Sequence, residues 1–315
     1  MRIAFTTELP REGFKRLFNK GIGDLRFEIG DFSEAEILVS TFDYRVPSEM
    51  IEAMPNLRLI ANFGAGFNNI DLETCRERGI RVTNTPQPVI EPTAELAFAL
   101  MIDIARRVSE FDRQMRGYGL PVTGDGIQFG VMRNLSHSLY GKTLGIIGMG
   151  RIGQALARRA IASGMTIIYH NRHRLPADIE QRYEAQYVDF QTILQDSDYL
   201  SLNLPYTPEV HHIIGKPELG MMKRTAYLIN TARGAHVDEQ ALIEALKNGI
   251  IAGAALDVYE HEPAVSSELL ELPNVVLSPH TGTGTWEGRI AMCENVTDNI
   301  IAFVEGRTDA MNIVI

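Results

Sequence analysis

Short apolar runs alternate along most of this chain with longer segments in which apolar residues recur at helical spacing. Arg2–Phe5, Ile37–Ser40, Leu59–Asn62, Leu144–Gly148, Thr166–His170, Tyr199–Asn203, Ala226–Asn230 and Val275–Ser278 read as strands. They are nearly continuous in Val, Ile and Leu, the pattern of strands buried on both faces. Between strands, Pro92–Arg107 repeats Leu96, Leu100 and Ile104 with Ala97 and Met101 beside them, which predicts an amphipathic helix. Such alternation predicts an α/β fold of parallel sheets covered by helices. The stretch 117–141 breaks the pattern: it is rich in Gly, Ser and Asn, has no clear period, and is too long for an ordinary connection. An arm or interface segment is expected there.

Composition narrows the class without naming a function. At 315 residues the chain is long enough for two domains of about 150 residues each. Its 30 Lys+Arg against 40 Asp+Glu give a formal charge of −10, which argues against a broad nucleic-acid surface. The amino terminus lacks the apolar stretch of a signal peptide, and no apolar segment is long enough to span a bilayer. A soluble, cytoplasmic protein is expected. Cys75 and Cys293 make neither a disulfide framework nor a zinc cluster, so buried thiols and no metal are expected.

One motif carries chemistry. Strand Thr143–Ile147 runs into Gly148-Met149-Gly150-Arg151-Ile152-Gly153 and then into a helix through Ala162. Gly-x-Gly-x-x-Gly between a strand and a helix is the dinucleotide-binding context. Gly148 would permit the tight turn, Gly150 the approach of a pyrophosphate, and Gly153 the packing of helix on strand. Unpaired N–H groups at the helix start would hold the anion. An NAD site places Asp or Glu about 20 residues further on, against the ribose 2′-hydroxyl. Here the next strand ends in His170-Asn171-Arg172-His173-Arg174, with no carboxylate and two arginines. Guanidinium suits a 2′-phosphate, so NADP is expected over NAD.

From Gly141 to His280 the sequence resembles the D-isomer-specific 2-hydroxyacid dehydrogenases. Besides the glycine loop, the matching stretches are Met222-Lys223, Ile229–Gly234, Ala255–Pro263 and Ser278–Gly282; outside that block Gly64–Asp71 and Thr93–Ala97 also match. The resemblance implies two Rossmann-like domains with parallel sheets. The substrate domain would be discontinuous, 1–97 completed by 286–315, with the dinucleotide-binding domain inserted as 98–285 and the active site in the cleft between them. It implies that Arg233, Glu262 and His280 are catalytic: Arg233 grips carboxylate and keto oxygen, His280 exchanges the proton, and Glu262 orients and charges the imidazole. Ala65 and Gly66 match the loop whose N–H groups hold the substrate carboxylate. Asp257 matches an acidic residue near the nicotinamide, and Pro205 and Thr231 lie in segments lining the cofactor site. Family pairing implies a homodimer.

Departures sharpen the placement. Glu262 stands where formate dehydrogenases carry Gln, and Ser136 replaces a usual Gly before the cofactor domain. The Asn171-Arg172 ending looks most like the glyoxylate/hydroxypyruvate reductase branch. The expected reaction is NADP-dependent reduction of a small 2-keto acid to the D-2-hydroxy acid. Alternatives are an NAD-dependent dehydrogenase of a bulkier acid, with Phe42, Tyr44 and Trp286 as candidates to set substrate size, and a nucleotide-sensing binding protein of the corepressor type.

Overall fold

The computed structural model describes residues 1–22, 24–26, 32–117 and 130–315. Two sheets organise the chain. The first contains β1 (Arg2–Phe5), β2 (Asp24–Arg26), β3 (Ile37–Thr41), β4 (Leu59–Phe63) and β5 (Arg81–Thr83) in the order β2-β1-β3-β4-β5. The second contains β6 (Thr143–Ile147), β7 (Thr166–His170), β8 (Ala185–Tyr187), β9 (Tyr199–Leu202), β10 (Tyr227–Asn230), β11 (Gly253–Leu256) and β12 (Val275–Leu277). Its order is β12-β11-β10-β9-β6-β7-β8. Every pairing in both sheets is parallel. Strands β3, β4, β9, β10 and β11 are buried throughout, as the largely apolar runs of the first four lead one to expect.

The chain divides into two compact units, Met1–Pro92 with Thr283–Ile315, and Thr93–Gly282. The sequence set these divisions at 97/98 and 285/286. The first falls instead within the opening turn of the helix Ile90–Arg106, and the second just before Thr285, whose side chain caps the helix Trp286–Val304. That last helix packs Met292, Cys293, Val296 and Ile300 into the core of the first unit with Phe5, Phe14, Leu59 and Phe63. The discontinuity is thereby a packing requirement: the sheet lacks one covering layer until the chain returns.

Four strands escape the sequence pattern. β2, β5 and β8 are three-residue edge strands, too short to show a period. β11, Gly-Ala-Ala-Leu, is central but built from residues of low strand propensity, and burial between β10 and β12 decides it. Of the proposed 117–141 arm, residues 118–129 lie outside the described residues. The remainder lies beside the end of the helix Ile90–Arg106: His137 N–H donates to Ala105 O at 2.9 Å and Arg106 Nε to Ser136 Oγ at 3.1 Å. It exposes Val131, Met132 and Tyr140. Cys75 and Cys293 are buried free thiols. No helix among the described residues is long and apolar enough to cross a membrane.

Candidate active site

In an open parallel sheet, ligands bind beyond the carboxyl ends of the strands, where the strand order reverses. In the second sheet that point lies between β6 and β9. The glycine loop follows β6, Asn171 follows β7, Asn203 and Pro205 follow β9, Thr231 follows β10 and Asp257 follows β11. The proposed cofactor residues therefore share one edge.

The three loop glycines differ in what surrounds them. Gly148 sits at φ +93°, a conformation that side chains resist, and a Cβ there would lie 2.7 Å from Asn203 C. A Cβ on Gly153 would lie 2.7 Å from Gly148 O, so helix Arg151–Ala162 closes directly on the turn. A Cβ on Gly150 would meet nothing within 4 Å. Two glycines thus serve the protein's own packing, while the third faces open space at a helix start whose first turn holds no acid. Arg151 and Ile152 form that first turn. Further along the edge, buried Thr231 Oγ1 and Asn203 Oδ1 find no hydrogen-bond partner among the described residues. Open space over a helix N-terminus, with unsatisfied polar atoms beside it, fits a dinucleotide.

The end of β7 separates residues the sequence left equivalent. Asn171 Oδ1 accepts Met149 N–H at 2.7 Å, so this side chain braces the glycine loop itself. Arg174 is spent within the protein: its guanidinium meets both Glu180 oxygens at 2.8 Å, and Tyr169 OH adds a bond of 2.6 Å to the same carboxylate. Arg174 and Tyr169 together hold the Glu180 carboxyl down at about 2. Arg172 is exposed and makes no hydrogen bond or ion pair among the described residues.

The three residues expected to be catalytic, Arg233, Glu262 and His280, follow β10, β11 and β12 along this edge. His280 Nδ1 lies 2.7 Å from Glu262 Oε2, while Glu262 Oε1 accepts Tyr259 N–H at 2.8 Å. Burial pushes the Glu262 carboxyl up, but the bonds from His280 and Tyr259, with the charges of His280 and Arg233, outweigh it and hold it below the usual carboxylate range. Burial also lowers the Arg233 guanidinium from its ordinary value, and the Glu262 charge opposes this. Asn230 shapes the Arg233 loop by donating to Arg233 O at 2.9 Å and accepting Ala232 N–H at 3.0 Å.

His280 itself sits at φ +52°, which few non-glycine residues adopt. Its neighbours hold it there. Its N–H donates to Asp257 O at 2.8 Å, and the fully buried Asp257 side chain accepts from Ser278 Oγ (2.5 Å), Thr281 N–H (2.8 Å) and Gly282 N–H (2.8 Å). Both carboxylate oxygens of Asp257 thus anchor the His280 loop.

In the first unit, Gly64, Ala65 and Gly66 follow β4. All three carbonyls are drawn inward: Thr85 N–H donates to Gly64 O (3.0 Å), Asn84 Nδ2 to Ala65 O (2.8 Å), and Asn62 Nδ2 to Gly66 O (2.7 Å). No hydrogen bond from the N–H groups of Ala65 or Gly66 is found among the described residues. Tyr44 packs edge-on to Phe32, both half-buried against the core of the first unit, and Trp286 is exposed.

Residues 98–282 match the model of the D-isomer specific 2-hydroxyacid dehydrogenase, NAD binding domain. The chain belongs to that family. A glyoxylate reductase of Thermococcus litoralis is 49% identical over 273 residues, covering 87% of this chain and 82% of that one. The TT0316 protein of Thermus thermophilus superposes with a TM-score of 0.90 at 38% identity, over 100% of both chains. An NADPH-dependent glyoxylate/hydroxypyruvate reductase of Sinorhizobium meliloti, solved with NADP and malonate, gives 0.82 at 31% identity over 96% of this chain and 93% of that one. This dehydrogenase is accordingly an NAD(P)-dependent oxidoreductase.

Sequence reasoning missed several residues that support the site. Asn62 and Asn84 carried no signal beyond their strand-end positions. Gly234 matched as part of a family stretch with no role assigned, yet a Cβ there would lie 1.9 Å from Tyr259 C. His236 is fully buried, and burial pushes its imidazole down to about 4, so it is neutral near neutrality.

Proposed function

We propose that this dehydrogenase reduces a small 2-keto acid of the glyoxylate or hydroxypyruvate type to the D-2-hydroxy acid, using NADPH. The observation that carries this reading is the 2.7 Å His280–Glu262 pair, with Arg233 felt electrostatically at the same carboxylate. The bound nicotinamide would supply the hydride to the carbonyl carbon. Arg233 then grips the keto acid through a permanently charged fork and polarises its carbonyl oxygen. Because Nδ1 of His280 engages Glu262, Nε2 is the nitrogen placed to pass a proton to the new alkoxide. Glu262 stabilises the imidazolium before that transfer, and in oxidation neutral His280 takes the proton back. Gly148, Gly150, Arg151, Ile152, Gly153, Pro205, Thr231 and Asp257 are assigned to the cofactor side. Exposed Val131, Met132 and Tyr140 are the apolar surface that pairing as a homodimer would cover.

Cofactor choice rests on charge. Asn171 occupies the place of the NAD-selecting acid, and exposed Arg172 is the guanidinium available for a 2′-phosphate. Purified protein is expected to oxidise NADPH with glyoxylate or hydroxypyruvate and to prefer it over NADH. Arg172→Ala should cut that kcat/KM preference by about tenfold, the worth of one charge-assisted contact. Turnover with neither keto acid would end the enzymatic reading; an unchanged preference in Arg172→Ala would end the cofactor argument.

We assign the substrate carboxylate to the N–H groups of Ala65 and Gly66, which makes Asn62 a positioning residue. Asn62→Asp keeps the shape but replaces the donor on Gly66 O with an acceptor. The keto-acid KM should rise roughly ten- to hundredfold, equivalent to the 1–3 kcal/mol of an unsatisfied buried acceptor. The KM for NADPH should not move. Steady-state kinetics with each substrate varied in turn checks this, and a keto-acid KM equal to the parent's refutes it.

A further inference from the structure

We propose that His211, His212 and Glu260 form a binding site for one divalent transition metal of the Zn²⁺, Co²⁺ or Ni²⁺ class, independent of the catalytic pair. One ligand atom from each of the three lies within 4.8 Å of the other two. His212 Nε2 is 2.5 Å from Glu260 Oε1, and the two imidazoles stack with centroids 3.9 Å apart and planes 20° from parallel. In a tetrahedral site, ligand atoms about 2.0–2.2 Å from the metal stand roughly 3.4 Å apart. Side-chain rotations that turn the stacked rings toward one point and close the separations by up to about 1.4 Å would bring the three atoms to that spacing.

The backbone holds the three in place from two separate loops. His212, at φ +51°, donates its N–H to Ala235 O at 2.9 Å, and Ile214 N–H donates to His236 O at 3.0 Å. Glu260 is fixed from the other side: its N–H donates to Glu239 Oε2 and its Oε2 accepts Glu239 N–H, both at 3.2 Å. Tyr206 OH lies 3.3 Å from His211 Nδ1. A partner on one ring nitrogen fixes the ring and directs the other toward a ligand, the usual support for a metal-binding histidine.

The donor set selects the metal. Two imidazole nitrogens and one carboxylate suit Zn²⁺, Co²⁺ or Ni²⁺, whereas Mg²⁺ and Ca²⁺ require mostly oxygen. An ion here would clip the loop after β9 to the segment that carries Glu262 two residues beyond Glu260. Its effect would be to tie down the support of the catalytic loop, with no part in proton or hydride transfer.

The test uses tag-free protein treated with EDTA and desalted. Titration with Co²⁺, followed by its visible ligand-field absorption, is expected to show one ion per chain, displaced by Zn²⁺ and unaffected by Mg²⁺. His211→Ala removes an exposed side chain and leaves the fold intact; it and Glu260→Gln should each weaken Co²⁺ at least about tenfold. Tyr206→Phe should weaken it by about tenfold, the usual cost of a lost outer partner. Zn²⁺ should raise Tm in the parent and leave His211→Ala unchanged. Absence of Co²⁺ binding, or equal affinity in parent and His211→Ala, overturns the proposal. So does a loss of affinity in His280→Ala, which would move the ion to the catalytic pair. Because the readout is metal binding, it stands or falls apart from the reductase reading.

Discussion

His280→Ala is expected to lower kcat for keto-acid reduction by about 10²–10⁴-fold, the range for losing a positioned general acid. Binding of NADPH, followed by quenching or enhancement of its fluorescence, should stay within about twofold of the parent, less than the 1.4 kcal/mol that a tenfold change represents. The backbone complicates a single substitution, because position 280 lies at φ +52°, which alanine adopts less readily than histidine or asparagine. His280→Asn is the control, since asparagine tolerates that conformation but carries no titrating nitrogen. Both variants should lose rate together. If His280→Asn turns over like the parent, His280 does not transfer the proton. Glu262→Gln tests the pair from the other side. It removes the negative charge that faces the imidazole, so kcat should fall while NADPH binding stays near the parent's.

The second large effect comes from a residue with no chemistry of its own. In Gly234→Ala the added methyl would lie 1.9 Å from Tyr259 C, 2.0 Å from Tyr259 O and 2.4 Å from Glu260 N. All three are backbone atoms and cannot swing aside. Either the Arg233 loop lifts or the segment leading to Glu262 retreats, and in each case Arg233 and Glu262 part. A misplacement of about 1 Å costs about 10²-fold in rate, so kcat/KM for the keto acid should fall at least that far. Overpacking should also cost about 1–3 kcal/mol, visible as a Tm lower by roughly 2–10 °C. A variant with parental kcat/KM and Tm would show that the loops are not seated against each other.

Much of the fold was legible because burial on both faces writes itself into a strand as an unbroken apolar run. β3, β4, β9 and β10 announce themselves this way. β11 does not, because its Gly-Ala-Ala-Leu makes sense only between neighbours. The same divide runs through the site. The glycine loop is contiguous, and its strand and helix stand on either side of it in the sequence. The resemblance placed Asp257 near the nicotinamide. Its hydrogen bonds show a buried carboxylate anchoring the loop that presents His280.

By itself the sequence determined the α/β class, the dinucleotide loop and the lack of an acid after β7. Each is a local pattern, read from neighbours along the chain. Only the tertiary structure decided which arginine is available: Glu180, six residues beyond Arg174, turns back to engage it and leaves Arg172 exposed. Only the tertiary structure pairs His280 with Glu262, turns the carbonyls of Gly64, Ala65 and Gly66 inward, and brings His211 and His212 to Glu260. These depend on side-chain direction and on contacts between segments far apart in the chain. Strand order and loop packing fix them, and neither is written in any local run of residues.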